Sequence, residues 1–206
     1  KNLIFELDSL SDDIEVIVIN DGSTDNSKSI LSSQKSFKVI HNPINMGKGY
    51  SIIRAAKFVT SQNIILMDGD LEIDLKSVIK LIEGFKMNDN YVVVGSRWNK
   101  DSNTGFNINT YGNYLINTMF NYLYDTKLTD VLCCVKIMNK DLFKSLMLDS
   151  KRFNIEMELM TKLAIKKINI LEKDVIYNRR SKEKGKKIKI SDGWGILWEM
   201  LKNKKL

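Results

Sequence analysis

The stretch Asn63-Ile64-Ile65-Leu66-Met67-Asp68-Gly69-Asp70 carries the reading of the fold. A short apolar run, suited to a buried strand, is followed at once by two carboxylates one residue apart. A strand that has just left the core delivers such acids to the rim of a sheet. There they can grip a divalent cation while leaving coordination positions open for a phosphate, as in a site for a nucleotide diphosphate. The same residues also suit a plainer role, a helix cap beside a solvated acid. Density favours the cation: with Glu72 and Asp74 the segment gathers four carboxylates in seven residues, a repulsive concentration of charge unless a cation offsets it.

Strand-like and helix-like runs alternate on both sides of this stretch. Upstream, Glu15-Val16-Ile17-Val18-Ile19 predicts a strand, a helix follows from about Asp25, Phe37-Lys38-Val39-Ile40 predicts a second strand, and a helix runs from about Lys48 to Val59. Downstream, Asp74 opens a helix with Leu75, Val78, Ile79, Ile82 and Phe85 at helical spacing, and Tyr91-Val92-Val93-Val94-Gly95 is a further buried strand. Apolar strands alternating with helices are the pattern of an α/β protein, with a mostly parallel central sheet and helices on both faces. The second half is less regular, with a helix around Tyr111–Tyr124, a short strand near Val135–Met138 and a helix from about Ile155 to Lys166. No repeat or linker divides the chain. Its 206 residues, 43% hydrophobic with three Trp, are expected to form one domain.

Composition narrows the setting. No run approaches the roughly 20 apolar residues of a membrane-spanning helix, and no signal-peptide pattern opens the chain. The two cysteines, Cys133 and Cys134, are adjacent, which suits neither a structural disulfide nor a thiolate metal site and fits a reducing cytoplasm. The net charge of +7 is concentrated late, where Arg179, Arg180, Lys182, Lys184, Lys186, Lys187 and Lys189 fall together. Such a cluster attracts phosphate on a nucleotide, a lipid or a nucleic acid. The absence of interleaved aromatics argues against nucleic acid. The only histidine, His41, has no Asp or Ser spacing that suggests a triad. The chain opens at Lys1, and Leu3-Ile4-Phe5-Leu7-Leu10 reads as the back half of a helix, so the natural N-terminus is expected to lie upstream.

Other constellations fall at strand ends. Asn20-Asp21-Gly22-Ser23-Thr24-Asp25 follows the first strand, so Asp21 stands where α/β proteins bind ligands and could accept hydrogen bonds from a base or ribose. Alternatively, Asp-Gly only turns the chain while Ser23 or Asp25 caps the next helix. Asn45-Met46-Gly47-Lys48-Gly49 would allow a phosphate close to the backbone, with Lys48 adding charge, or is simply a turn. Gly95-Ser96-Arg97 ends the next strand, so Arg97 can reach an anion across the cleft. Arg180 and Lys186, bracketing Gly185, could clamp phosphates in the same way. Both basic groups could equally be solvated.

In order and spacing, Glu15 to Ser27, Asn45 to Gly49, Asp68 to Glu72 and Gly95 to Arg97 resemble the family 2 glycosyltransferases of the GT-A fold. Gly112-Asn113, Leu128-Thr129-Asp130, Phe153-Asn154-Ile155-Glu156-Met157-Glu158, and Arg180 through Gly185-Lys186-Lys187-Ile188 to Asp192-Gly193 look like the dolichyl-phosphate mannose synthase branch. The resemblance implies inverting transfer of a hexose from a nucleotide diphosphate sugar to a polyprenyl phosphate, assisted by magnesium or manganese. It also implies roles: Asp21, Lys48, Asp68, Gly69, Asp70, Arg180 and Lys186 at the donor, Asp68, Asp70 and Glu72 at the metal, and Arg97 at the lipid phosphate. Members of the family begin with a strand carrying a Pro/Tyr/Asn/Glu segment; nothing here corresponds, so the sheet is expected to lack its first strand. Relatives also carry small or hydroxyl residues where Cys133 and Cys134 stand.

The chemistry agrees with the residues. Displacing a nucleotide diphosphate from an anomeric carbon requires stabilising charge on the leaving oxygens, which a cation and fixed Arg or Lys groups supply. A phosphate acceptor is already ionised and needs no general base. A hydroxyl acceptor, as on a glycan or polysaccharide, would need a carboxylate, for which Asp130 is the candidate. A third reading is a non-catalytic nucleotide- or membrane-binding relative. In the expected helix over 191–202, Trp194, Leu197, Trp198 and Leu201 fall at i, i+3, i+4 and i+7 with lysines following. This face suits either packing on the domain or the surface of a membrane, the latter placing the protein peripherally on its cytoplasmic side.

Overall fold

The computed structural model describes residues 2–10, 13–85, 91–99, 102, 108–179, 190–202 and 204. Helix α1 (Asn2–Asp8) is followed by β1 (Ile17–Asp21), α2 (Ser27–Ser32), β2 (Lys38–Asn42), α3 (Lys48–Ala56), β3 (Asn63–Leu66), α4 (Leu75–Gly84) and β4 (Tyr91–Ser96). The second half carries α5 (Ile108–Tyr124), β5 (Lys136–Asn139), α6 (Lys140–Ser145), α7 (Ile155–Ile165), β6 (Asn169–Asp174) and α8 (Ile190–Lys202). The alternation expected of the first half is present. Asp74 caps α4 as expected, its side chain accepting from the Ser77 N–H at 3.1 Å. The first strand runs two residues beyond its predicted end, so Asp21 is its last residue and pairs with Asn42.

The strands form two hydrogen-bonded ladders rather than one continuous sheet. β1 and β2 pair in parallel, and a four-stranded sheet has the order β3-β5-β4-β6. Among the described residues no strand links β1 to β3. In the larger sheet β3, β4 and β6 share one direction, because β4 and β6 are parallel and β5 is antiparallel to both β3 and β4. The reversal of β5 has a chemical consequence. Its first residue, Lys136, stands between Leu66 and Val94 at the carboxyl ends of β3 and β4, the rim that Asp68 and Arg97 leave.

β6 and α6 escape sequence reading for local reasons. β6 alternates exposed and half-buried positions over Asn-Ile-Leu-Glu-Lys-Asp, a composition poor in strand formers, and exists because it pairs with β4 over six residues. α6 is a six-residue helix whose cap, Asn139, accepts from the backbone of Asp141 and Leu142.

The core lies between the four-stranded sheet and α7, where Val92, Val94, Val135, Met138, Phe120, Met157, Met160 and Leu163 are fully buried. α7 is buried from Ile155 to Thr161 without interruption, Glu156 and Glu158 included. A helix surrounded on all sides must satisfy its polar groups internally. Glu158 accepts from the backbone N–H groups of Asp149 and Ser150 and from Lys162. This pins the loop before α7.

That loop receives the start of α3 at backbone distance. Tyr50 N–H donates to the Lys151 carbonyl at 3.1 Å, and a Cβ added at Gly49 would meet the Ser150 oxygen at 1.9 Å. Only glycine permits this approach. Gly49→Ala is therefore expected to cost about 1–3 kcal/mol or more by overpacking, seen as a lower urea midpoint with unchanged slope. A midpoint equal to that of the parent would disprove the contact.

Candidate active site

Lys48 opens α3, and the close packing at Gly49 aims it between two acids. Its Nζ lies 2.6 Å from Asp68 Oδ1 and 2.7 Å from Glu156 Oε1. Glu156, in the first turn of α7 where the helix dipole favours an anion, also accepts from the Lys136 ammonium through Oε2. Lys136 donates in addition to the Cys133 carbonyl. The result is a row of alternating charge, Asp68–Lys48–Glu156–Lys136. Side-chain exposure falls along it from 37% at Asp68 through 16% and 7% to 0% at Lys136. Burial opposes the charge on Glu156, but Lys136 and Lys48 overcome it and lower its carboxyl to about 2. Burial likewise works against the charge on Lys48, yet Glu156 and Asp68 raise its ammonium well above the ordinary lysine value.

Asp21 serves its own chain. Its Oδ1 accepts from Asn42 at 2.7 Å and from Met46 N–H at 2.8 Å, and Oδ2 accepts from Gly47 N–H at 2.9 Å. Burial would raise its pKa, but these donors keep it below the usual value. The carboxylate thus holds the Asn45–Gly49 turn, in which Gly47 has φ 96°, and so sets the position of Lys48. The Asn20–Asp25 segment also makes the local bonds of a turn, with Asn20 accepting from Ser23 N–H and Asp25 from Ser27 N–H.

The three acids expected to share a metal point to different partners. Asp68 meets Lys48. Asp70 Oδ1 accepts from Glu72 N–H at 3.0 Å across Leu71, held at φ 59°, an uncommon conformation for so bulky a residue. Glu72 Oε2 accepts from the Tyr177 hydroxyl at 2.9 Å. Among the described residues no three His, Cys, Asp or Glu side chains form a metal-ligating group, so a three-carboxylate cage does not assemble. A divalent cation fits in a different manner. Asp68 offers a part-exposed hard oxygen already drawn to a positive group at 2.6 Å. Two carboxylates suffice when phosphate and water supply the other ligands. Gly69 lies in the exposed turn between them, against Leu3 of α1.

Arg97 and Asp130, expected on separate duties, are joined. Arg97 Nε donates to Oδ2 and Nη2 to Oδ1, each at 2.7 Å, and Arg97 N–H adds a third bond at 3.0 Å. Asp130 is 2% exposed. Glu172 on β6 fixes its loop, accepting from the N–H groups of Thr129 and Asp130, while Asn117 on α5 accepts from Val131 N–H. The guanidinium also lies 5.6 Å from the Tyr177 ring. Burial and the Glu72 hydrogen bond push the Tyr177 hydroxyl up to about 12. Tyr177 therefore stands between the acidic turn and Arg97.

Arg180 and Lys186 lie outside the described residues. Their segment leaves from Asn178, whose N–H donates to the Glu72 carbonyl. His41 is engaged with Asn20 and Ser32. Hydrogen bonding to Cys133, burial and Asp68 push the Cys134 thiol up, which keeps it protonated. Sequence reading assigned no role to Lys136, Glu156, Glu172 or Tyr177. For Glu156 a signal existed, two acids, Glu156 and Glu158, alternating with apolar residues at the start of a helix.

A model of the family described as Glycosyl transferase family 2 matches residues 4–147. The low-salt glycan biosynthesis hexosyltransferase Agl6 of Haloferax volcanii is 24% identical over 190 residues, 91% of this chain and 45% of that protein. The poly-beta-1,6-N-acetyl-D-glucosamine synthase of Staphylococcus epidermidis is 34% identical over 77 residues, 36% of this chain and 19% of that one. Dolichyl-phosphate beta-glucosyltransferase ALG5A of Trichomonas vaginalis is 29% identical over 97 residues, 40% of this chain and 28% of that one. The chain thus spans less than half the length of these relatives. Glucosyl-3-phosphoglycerate synthase of Mycobacterium tuberculosis shares the fold, with a TM-score of 0.68 at 14% identity over 92% of this chain and 69% of its own. Its complex with Mn2+, UDP and phosphoglyceric acid gives 0.68 at 15% identity over 93% and 68%.

The charged row makes a pH prediction. The Glu156 carboxyl is lowered in the folded state from 4.5 to about 2, so its contribution to stability is complete above about pH 4.5. It declines as pH falls toward 2 and is absent below that. Glu156→Gln should lose about 3–5 kcal/mol at pH 7 by leaving Lys136 unpaired, and its denaturation midpoint should fall less steeply than the parent's between pH 4.5 and 2. Parallel declines would contradict the assignment.

Proposed function

Because this chain belongs to glycosyl transferase family 2, we propose that it moves a hexose from a nucleotide diphosphate sugar to a polyprenyl phosphate, with inversion at the anomeric carbon. The observation that carries the choice of acceptor is the Arg97–Asp130 pair. A hydroxyl acceptor needs a general base, and the carboxylate nominated for that work is buried and occupied on both oxygens by Arg97. A phosphate acceptor arrives ionised and needs a fixed cation. Arg97 meets that need: Asp130 holds Nε and Nη2, which sets the plane of the guanidinium and leaves its remaining edge for an anion. Dolichyl phosphate stands in the name of one similar protein, the Trichomonas glucosyltransferase, whereas the structural neighbour is named for the soluble phosphoglycerate.

On the donor side, Asp68 and Asp70 would hold a magnesium or manganese ion, whose chemistry there is to offset charge on the departing diphosphate. Glu72 stays with Tyr177 and orients the turn. Asp21 fixes the loop that presents Lys48, and Lys48 brings a permanent positive charge to the diphosphate. Arg180 and Lys186 complete the proposal as donor phosphate contacts.

The membrane surface enters through α8. Ile196, Glu199 and Met200 face the domain, while Trp194 is 74%, Trp198 69% and Leu201 49% exposed. Lys202 and Lys204 follow and are exposed. We place this aromatic face in the headgroup region on the cytoplasmic side of a membrane, next to a lipid-borne acceptor. No helix among the described residues is long and apolar enough to cross a membrane.

The test is transfer from uridine and guanosine diphosphate sugars to a short polyprenyl phosphate, run beside a saccharide acceptor. A lipid-linked product is expected. A saccharide product alone would overturn the acceptor and favour the polymer-forming reading that the Staphylococcus relative's name suggests. Asp70→Asn should lower kcat/KM by at least about 100-fold with an unchanged melting temperature; full turnover would remove Asp70 from the metal. Replacing Trp194 and Trp198 by Ser should weaken binding to anionic vesicles about tenfold or more, measured by co-sedimentation, and equal binding would move the membrane contact elsewhere.

A further inference from the structure

The charged row has a feature that donor binding alone does not explain. Lys136 already neutralises Glu156, so the positive charge of Lys48 is surplus at that carboxylate and is spent on Asp68. The two lysines and two acids together are neutral. Lys48 Nζ, 2.6 Å from Asp68 Oδ1, occupies one oxygen of a carboxylate assigned above to the divalent cation. An ammonium and a divalent cation cannot share one oxygen without strong like-charge repulsion. At its other side Lys48 is retained by Glu156 Oε1 at 2.7 Å, a group buried with Lys136 and unable to move with the rim.

We propose that Lys48 is an internal counter-ion competing with the divalent cation for Asp68, and that Glu156, backed by Lys136, is the positioning residue that retains Lys48 when the cation displaces it. Released from Asp68 but still beside Glu156, the ammonium is available to the phosphates of the incoming donor. The cation alone is then disfavoured at the empty rim, whereas cation and diphosphate together give every charge a partner. Metal and nucleotide binding become coupled through one side chain. The inference rests on the donor and metal assignment proposed above.

The probe is Mn2+ alone, titrated into the full chain without nucleotide and followed through the paramagnetic resonance of the free ion. Lys48→Gln should bind Mn2+ on the order of tenfold more tightly than the parent, because Asp68 is freed while Glu156 keeps Lys136. Glu156→Gln should shift the affinity the other way, since Lys48 is then given wholly to Asp68. Repeating the titrations with UDP present should show that Lys48→Gln loses most of the enhancement that UDP gives the parent. Equal or weaker Mn2+ binding by Lys48→Gln, or tighter binding by Glu156→Gln, would overturn the proposal. That failure is separable from failure of the function: parental sugar transfer would survive it, whereas a parent without transfer but with the opposite Mn2+ shifts would leave the counter-ion standing.

Discussion

A glutamate held between two lysines in the interior is the constraint on which the site depends. Glu156 sits in the first turn of α7, Lys136 at the start of β5 and Lys48 at the start of α3, so one carboxylate joins three elements. Each buried charge would be costly alone, and removing one partner strands another. The geometry is therefore held in register by the penalty for breaking it. Asp68 is the solvent-facing end of the same row, so its position at the rim is tied to packing deep in the domain.

A second set of carboxylates shapes the loops around it. Asp21 gathers the N–H groups of Met46 and Gly47, Glu172 those of Thr129 and Asp130, and Glu158 those of Asp149 and Ser150. In each case a single acid accepts donors that a loop could not satisfy by itself, and the loop becomes rigid. Asp130, fixed in this way, fixes Arg97. Lys48 and Arg97 are thus positioned by the same device, and Tyr177 connects Arg97 to the acidic turn through Glu72.

This arrangement explains why several acids with catalytic spacing are not simply available side chains. A rim crowded with carboxylates repels itself unless each has a donor or a cation. Short bonds to Lys48, Glu72 N–H, Tyr177 and Arg97 meet that requirement. Such a site is organised before any charged ligand arrives, which is the condition for electrostatic stabilisation of developing charge.

The alternation of apolar runs with helical spacing determined the α/β class, the order of most elements and the placing of Asp68, Asp70 and Arg97 at strand ends, because these depend on period and local turn chemistry. The Trp-bearing helix over 191–202 was legible for the same reason, but which of its faces stayed in solvent was not. Only the tertiary structure decided that Arg97 pairs with Asp130, that Glu72 turns to Tyr177, and that Lys136 and Glu156 complete a row with Lys48 and Asp68. Those partners are separated by between 20 and 108 positions along the chain. The reversed direction of β5 and the ladder that makes β6 bring them together, and neither leaves a periodic mark in the residues involved.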